Sequence, residues 1–149
     1  HIMTPYLILD DELVRAMTFA ARRGVDVRII MPGIPDKQYA FDIATTYFKA
    51  LLDVGVRIFR YTPGFVHAKV YVSDGQQAVV GTINTDYRSL YQNFEDGVYL
   101  YKNLEVLHIE QDFEKTQALS EEVTLESLSK MPMAHRLCGY LFSLIGPLM

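Results

Sequence analysis

The chain has no tryptophan, one cysteine and little charge of either sign. The lone thiol, Cys138, permits no internal disulfide, so a small secreted scaffold held by cross-links is excluded and a reducing compartment fits. Charged residues make up 21% of the chain and sum to −4. No basic stripe interrupts that balance, which argues against a surface built for nucleic acid. No apolar run reaches the roughly 18 residues of a membrane-spanning helix, and no stretch reads as a signal peptide. The four histidines show neither H-E-x-x-H nor H-x-x-E-H spacing, so no metal is expected. Neither G-x-G-x-x-G nor a Walker pattern occurs, and no cofactor is expected. Low-complexity segments and long repeats are missing too.

What is present is apolar surface. Half of the 149 residues are hydrophobic, enough for one domain with a substantial core. Ile2–Leu9 reads as a buried first strand, which suggests a segment taken from a longer protein. Asp10 is a good N-cap, with Asp11 and Glu12 favouring a helix start. Leu13, Val14, Met17, Ala20 and Ala21 recur at helical spacing, and Gly24 ends that helix. Val25–Met31 reads as a buried strand closed by Pro32-Gly33. The cycle repeats: a helix over Asp36–Asp53 with Phe41, Ala44, Phe48, Leu51 and Leu52 on one face, then Gly55, then a strand over Val56–Tyr61. This order predicts parallel pairing with right-handed crossovers. The expected fold class is α/β, a mixed, mostly parallel sheet flanked by helices on both faces, with residues 1–149 as a single domain. Farther on, Thr85–Phe94 reads as irregular and Glu95–Tyr101 as a strand. Asn103 caps a helix running to about Leu119, and Thr124–Leu128 is a short helical turn. Residues 131–149 form an apolar C-terminal helix that either caps the sheet or touches a bilayer surface.

The densest chemistry lies in Phe65–Asn84, FVHAKVYVSDGQQAVVGTIN. Alternation over Val66–Ser73 predicts a strand with Val66, Ala68, Val70 and Val72 on one face and His67, Lys69, Tyr71 and Ser73 on the other. His67 and Lys69 thus project side by side. Asp74-Gly75 is a strong hairpin signal. Gln77–Thr82 then returns as an antiparallel strand, bringing Thr82 and Asn84 toward His67 and Lys69. A lysine beside a histidine, faced by a hydroxyl and an amide, suits a phosphoryl group: the lysine supplies charge, Thr82 and Asn84 supply donors, and the imidazole attacks phosphorus or passes a proton. Taken alone, each of these residues has a plainer reading, and Asp74 in particular serves turn chemistry as readily as a site. His108 and His135 are read as structural or surface residues.

The spacing H-x-K-x4-D-x6-G-[ST]-x-N, met by His67, Lys69, Asp74, Gly81, Thr82 and Asn84, resembles the HKD motif of the phospholipase D superfamily. The longer run TPGFVHAKVYVSDGQQAVVGTINTDYRSLYQNFEDG resembles the C-terminal catalytic half of the bacterial cardiolipin synthases, and the likeness extends over nearly the whole chain. Thr82 stands where family members more often carry serine, with the hydroxyl retained. The resemblance implies catalytic roles for His67, Lys69, Asp74, Thr82 and Asn84. It implies that Glu95 is the carboxylate that hydrogen-bonds the catalytic histidine and fixes its tautomer. Asp86 and Arg88, in the run NTDYRS, are expected either to shape a head-group pocket or to brace a loop as an Asp–Arg pair.

The activity so implied is condensation of two phosphatidylglycerol molecules into cardiolipin and glycerol, through a phosphohistidine intermediate and without a metal. Such a site needs two HKD motifs and this chain carries one, so it is expected to be the second half of a longer chain. Its partner is then the other half, or a second copy as a C2 homodimer, and alone it is expected to be inactive unless it pairs. The expected location of the parent is the bacterial cell membrane. Two rivals stand beside this reading: a nuclease of the same superfamily, and an α/β scaffold without catalysis, which His67 and Lys69 buried or splayed apart would favour.

Overall fold

Seven strands build one sheet within residues 1–146, the part of the chain that the computed structural model describes. In chain order the elements are β1 (Ile2–Met3), α1 (Asp11–Arg22), β2 (Arg28–Pro32), α2 (Gln38–Asp53), β3 (Arg57–Tyr61), β4 (Val70–Ser73), β5 (Gln77–Gly81), α3 (Tyr87–Tyr91), β6 (Gly97–Tyr101), α4 (Leu104–Ala118), β7 (Ser120–Glu122), α5 (Leu125–Ser129) and α6 (Met133–Ser143). Across the sheet the order is β6-β5-β4-β1-β2-β3-β7.

Local chemistry starts and stops the helices where the residues ask for it. The Asp10 carboxylate accepts from the Leu13 amide at 2.8 Å and caps α1, while Asp11 and Glu12 complement its N-terminal dipole. Gly24 and Gly55 follow α1 and α2 at φ of 88° and 94°, a left-handed conformation that favours glycine. Asn103 caps α4 through the Glu105 amide at 2.9 Å, and Thr124 caps α5 in a capping box with Ser127.

Register decides which residues make the core. Met3, Ile30 and Phe59 align across β1, β2 and β3 and pack with Phe113 of α4. Ile29 and Ile58 align on the opposite face and pack beneath α1 and α2 with Met17, Ala44 and Phe48. Each such fully buried side chain contributes about 1.5–3 kcal/mol. The mixed sheet with helices on both faces is therefore as expected, but its balance is not. Parallel pairing is confined to β1–β2 and β2–β3; the other four pairings are antiparallel.

Several boundaries also move. The first strand stops at Met3 because Pro5 has no amide to give a ladder, and Leu7 returns only as a single bridge to Thr85. The second helix starts at Gln38 rather than Asp36, whose carboxylate is taken by the Tyr6 hydroxyl at 2.6 Å. The stretch expected to be irregular contains α3, and the sixth strand begins at Gly97 rather than Glu95. Strand β7 was not foreseen; it is pinned to β3 by Arg57–Glu122 at 2.9 Å and Arg60–Glu121 at 3.3 Å. The C-terminal helix covers α2 instead of the sheet: Gly139 packs so close that a Cβ there would lie 2.3 Å from the Asp42 carbonyl oxygen. The part of the expected 131–149 helix in residues 147–149 lies outside the described residues. His135 meets Asp42 at 3.0 Å and His108 meets Glu105 at 3.2 Å, consistent with their plainer reading.

Candidate active site

His67 and Lys69 sit on the extended segment that runs into β4, which joins the ladder only at Val70. The expected strand over Val66–Ser73 is thus shorter, yet its alternation survives. Val66, Ala68 and Val70 turn inward to pack around Phe113, so His67 and Lys69 face the other way. The Lys69 carbonyl accepts from the Gly81 amide at 3.3 Å, tying this segment to the end of β5. The Lys69 ammonium folds back on the imidazole, 3.0 Å from Nδ1 and 3.2 Å from Nε2, and donates to the His67 carbonyl at 2.9 Å. Burial holds Lys69 below the ordinary lysine value, against the opposing pull of Glu95 and then Asp86. His67 is exposed, so the pair is neither buried nor splayed apart, and the condition that would favour a bare scaffold is not met.

Two aromatic rings hold the imidazole. Phe65 stacks on it at 5.6 Å between centroids, and Tyr6 meets it edge-on at 6.4 Å. Sequence reasoning named neither as a site residue. Phe65 carried a signal, standing two residues before His67 in the same alternation; Tyr6, sixty residues away along the chain, carried none.

The β4–β5 hairpin turns through Asp74 and Gly75, both at positive φ (54° and 60°), with the Gln76 amide donating to the Ser73 carbonyl at 3.0 Å. Asp74 is therefore at the hairpin tip, roughly 16 Å along the strand from Lys69. The structure does not bring it to the His67–Lys69 pair, and its contribution is the turn.

At the other end of β5, Gly81 faces Gly97 of β6. A Cβ on Gly81 would lie 2.1 Å from the Asp96 carbonyl oxygen, so the close approach of the strands requires glycine. That approach sets Thr82 against Glu95 and Asp96. The Thr82 hydroxyl donates to Glu95 and accepts from the Asp96 amide at 2.9 Å. With its one proton so engaged, Thr82 is not the free phosphate donor that the spacing suggested. Glu95 also accepts from Asn93 at 3.2 Å. Thr82 first, with Asn93 behind it, holds the Glu95 carboxyl below the usual carboxylate range. Among the described residues no hydrogen bond joins Glu95 to His67; Thr82 has captured the carboxylate, and its link to the pair is its charge, felt at Lys69.

Asp86 is buried and caps α3, accepting from the Ser89 amide at 2.8 Å. No Asp86–Arg88 ion pair forms among the described residues. Instead, Asp86, Arg88 and Asn84 share the lining of a polar cavity of about 240 Å³ with Tyr6. The structure thus gathers His67 and Lys69 beside Tyr6, links Thr82 to Glu95 next to them, and groups Asn84, Asp86 and Arg88 with Tyr6 in one cavity lining, with the Asp86 charge felt at Lys69.

In fold, this chain resembles a solved member of the phospholipase D family and a solved phosphatidylserine synthase. The Nuc protein of Salmonella typhimurium superposes with a TM-score of 0.70 at 18% identity, covering 82% of this chain and 79% of that one. A phosphatidylserine synthase of Haemophilus influenzae gives 0.70 at 17% identity, over 99% and 41%. By sequence, residues 1–117 match the family model described as "Cardiolipin synthase, PLD-like domain", and the chain belongs to that family. It is 54% identical over 149 residues to an uncharacterized protein of Streptococcus mutans, covering 32% of it. It is 40% identical over 148 residues to a cardiolipin synthase of Clostridium perfringens, covering 99% of this chain and 31% of that protein. The chain thus spans about a third of the length of the curated relatives it matches.

Proposed function

We propose that this chain is one half of a phosphatidyl-transferring active site that joins two phosphatidylglycerol molecules into cardiolipin and releases glycerol. The observation that carries this reading is the exposed imidazole of His67 with the Lys69 ammonium 3.0 Å from its Nδ1. One imidazole nitrogen of the complete site attacks the phosphodiester phosphorus. A nitrogen–phosphorus bond forms while the bond from phosphorus to the glycerol oxygen breaks. The second histidine of the pair protonates that oxygen as glycerol leaves. It then takes the proton from a hydroxyl of the second phosphatidylglycerol, whose oxygen attacks phosphorus and expels the first imidazole. Lys69 and the Asn84 amide stabilise charge on the non-bridging oxygens, and the covalent intermediate makes the kinetics ping-pong. Glu95 acts on Lys69 through its charge, with Thr82 holding it in place. The second histidine belongs to the other half of a longer chain, or to a second copy across a two-fold axis. A protein of this activity works at the bacterial cell membrane; among the described residues no helix is long and apolar enough to cross one.

The test places this chain in a complete site. A chimera in which it replaces the matching residues of the Clostridium perfringens cardiolipin synthase is expected to convert phosphatidylglycerol vesicles to cardiolipin. His67→Ala in that chimera is expected to lower the rate at least 10³-fold. A folded chimera that makes no cardiolipin, or one that His67→Ala leaves active, would overturn the proposal. An acid-labile phosphatidyl adduct that disappears with His67→Ala identifies His67 as the nucleophile.

A further inference from the structure

The cavity that Tyr6 lines carries several polar groups, and the transfer steps above use only one of them, the Asn84 amide. Tyr6 adjoins both places: its ring centre is 6.4 Å from that of His67, and it lines the cavity of about 240 Å³. Lys37 and Arg88 bring two cations to the lining. Neither forms an ion pair among the described residues. Asp36, the nearest carboxylate to Lys37 in sequence, is occupied by the Tyr6 hydroxyl at 2.6 Å, which leaves the Lys37 ammonium 5.4 Å above the centre of the Tyr6 ring. The same lining holds two acceptors. Among the described residues Asn84 Oδ1 is buried with no hydrogen-bond donor, a condition that folded chains avoid unless a ligand or water meets the atom. Asp86 gives one carboxylate oxygen, Oδ1, to the Ser89 amide and keeps the other as an acceptor.

Two unpaired cations beside two acceptors match a ligand that carries a phosphodiester and free hydroxyls together. A phosphate alone would meet the cations and be repelled by Asp86. A neutral polyol would leave the cations without a partner. We infer that this cavity binds the glycerol phosphodiester head group of the acceptor lipid, with its phosphate on Lys37 and Arg88 and a hydroxyl on Asn84 Oδ1. The inference rests on the phosphatidyl-transfer reading and deepens it. It assigns the donor phosphate to Lys69 and the acceptor phosphate to Lys37 and Arg88, and it brings in Lys37 from the start of α2. The acceptor's other glycerol hydroxyl then reaches past Tyr6 toward the imidazole, where the transfer needs it.

The experiment is a titration of the ¹⁵N-labelled chain with glycerophosphoglycerol, the head group without acyl chains, followed by amide chemical shifts. The amides of Ala40, Asn84 and Arg88 are expected to move, and to move equally in Lys69→Gln. The double variant Lys37→Gln/Arg88→Gln is expected to weaken binding at least tenfold while keeping a dispersed spectrum, which shows that it folds. Inorganic phosphate is expected to bind at least tenfold more weakly than glycerophosphoglycerol. Shifts confined to His67 and Lys69, or insensitivity to the Lys37/Arg88 changes, would overturn the inference. So would phosphate binding as tightly as the diester. Failure of phosphatidyl transfer itself appears only in the chimera assay, so the two ideas fail separately.

Discussion

Thr82 shows how one side chain reassigns another. The motif puts a hydroxyl there as though for phosphate, but its proton goes to Glu95, and that bond is the largest cause of the lowered Glu95 value. A carboxyl depressed in the folded chain contributes stability that is fully present above its ordinary value of 4.5. That contribution is lost as pH falls through the depressed value. Thr82→Val removes the donor and leaves the shape, so the Glu95 titration is expected to move up toward 4.5; carboxyl ¹³C shifts followed against pH measure it. Thr82→Ser keeps the donor and is expected to titrate as the parent does. An unmoved midpoint in the valine variant would mean that Asn93 holds Glu95 without help. The sequence made His67 and Lys69 legible because strand alternation fixes the direction of residues two apart. It could not make Tyr6 or Lys37 legible, because they reach the site from other elements and no local pattern encodes those contacts.

Among the elements, the parallel centre was readable because each helix carries its own punctuation: Asp10 before α1, Gly24 and Gly55 after α1 and α2, Asn103 before α4. Helix α3 escaped reading despite its Asp86 cap, being only five residues long, and strand β7 had no such signal. Strand β7, with the sequence SEE, has no apolar alternation, and its place depends on ion pairs with Arg57 and Arg60. Three of the four antiparallel pairings arise because one hairpin and its neighbour, β4, β5 and β6, extend the parallel core on the side away from β7. That extension is where the site is anchored, and Gly81 is its tightest point. In Gly81→Ala the new Cβ would meet the Asp96 carbonyl oxygen at 2.1 Å and Gly97 Cα at 2.6 Å. Both are backbone atoms, so β5 and β6 must part. Overpacking of this kind costs about 1–3 kcal/mol, and a fall in the urea midpoint of that size is expected. The displaced Thr82–Glu95 contact should release Glu95 as well, so the alanine variant should reproduce the titration shift of Thr82→Val. Lost stability with an unmoved Glu95 titration would separate the strand contact from the site.

At the scale of the whole molecule, one residue points beyond the chain. Phe94 is fully exposed, immediately before Glu95 and one residue after Asn93, the two groups bonded to each other beside Thr82. An aromatic ring in water contributes nothing to this domain's core, and its removal should leave the unfolding midpoint of the isolated chain within about 0.5 kcal/mol of the parent. The proposed chemistry needs a second histidine, and the surface that would supply it is expected to close over this same end of β5 and β6. Burying a phenylalanine in such a contact contributes about 1.5–3 kcal/mol, roughly ten- to a hundredfold in association. Phe94→Ser is therefore expected to leave the isolated chain as stable as before and to lower cardiolipin formation by the Clostridium chimera by about that factor. Lost stability would place Phe94 in this chain's own packing. Unchanged stability with unchanged activity would move the closing surface elsewhere, to the apolar edge of β6 at Val98 and Tyr99, which are also exposed. Because the two measurements respond to different contacts, together they test where the proposed other half of the site docks.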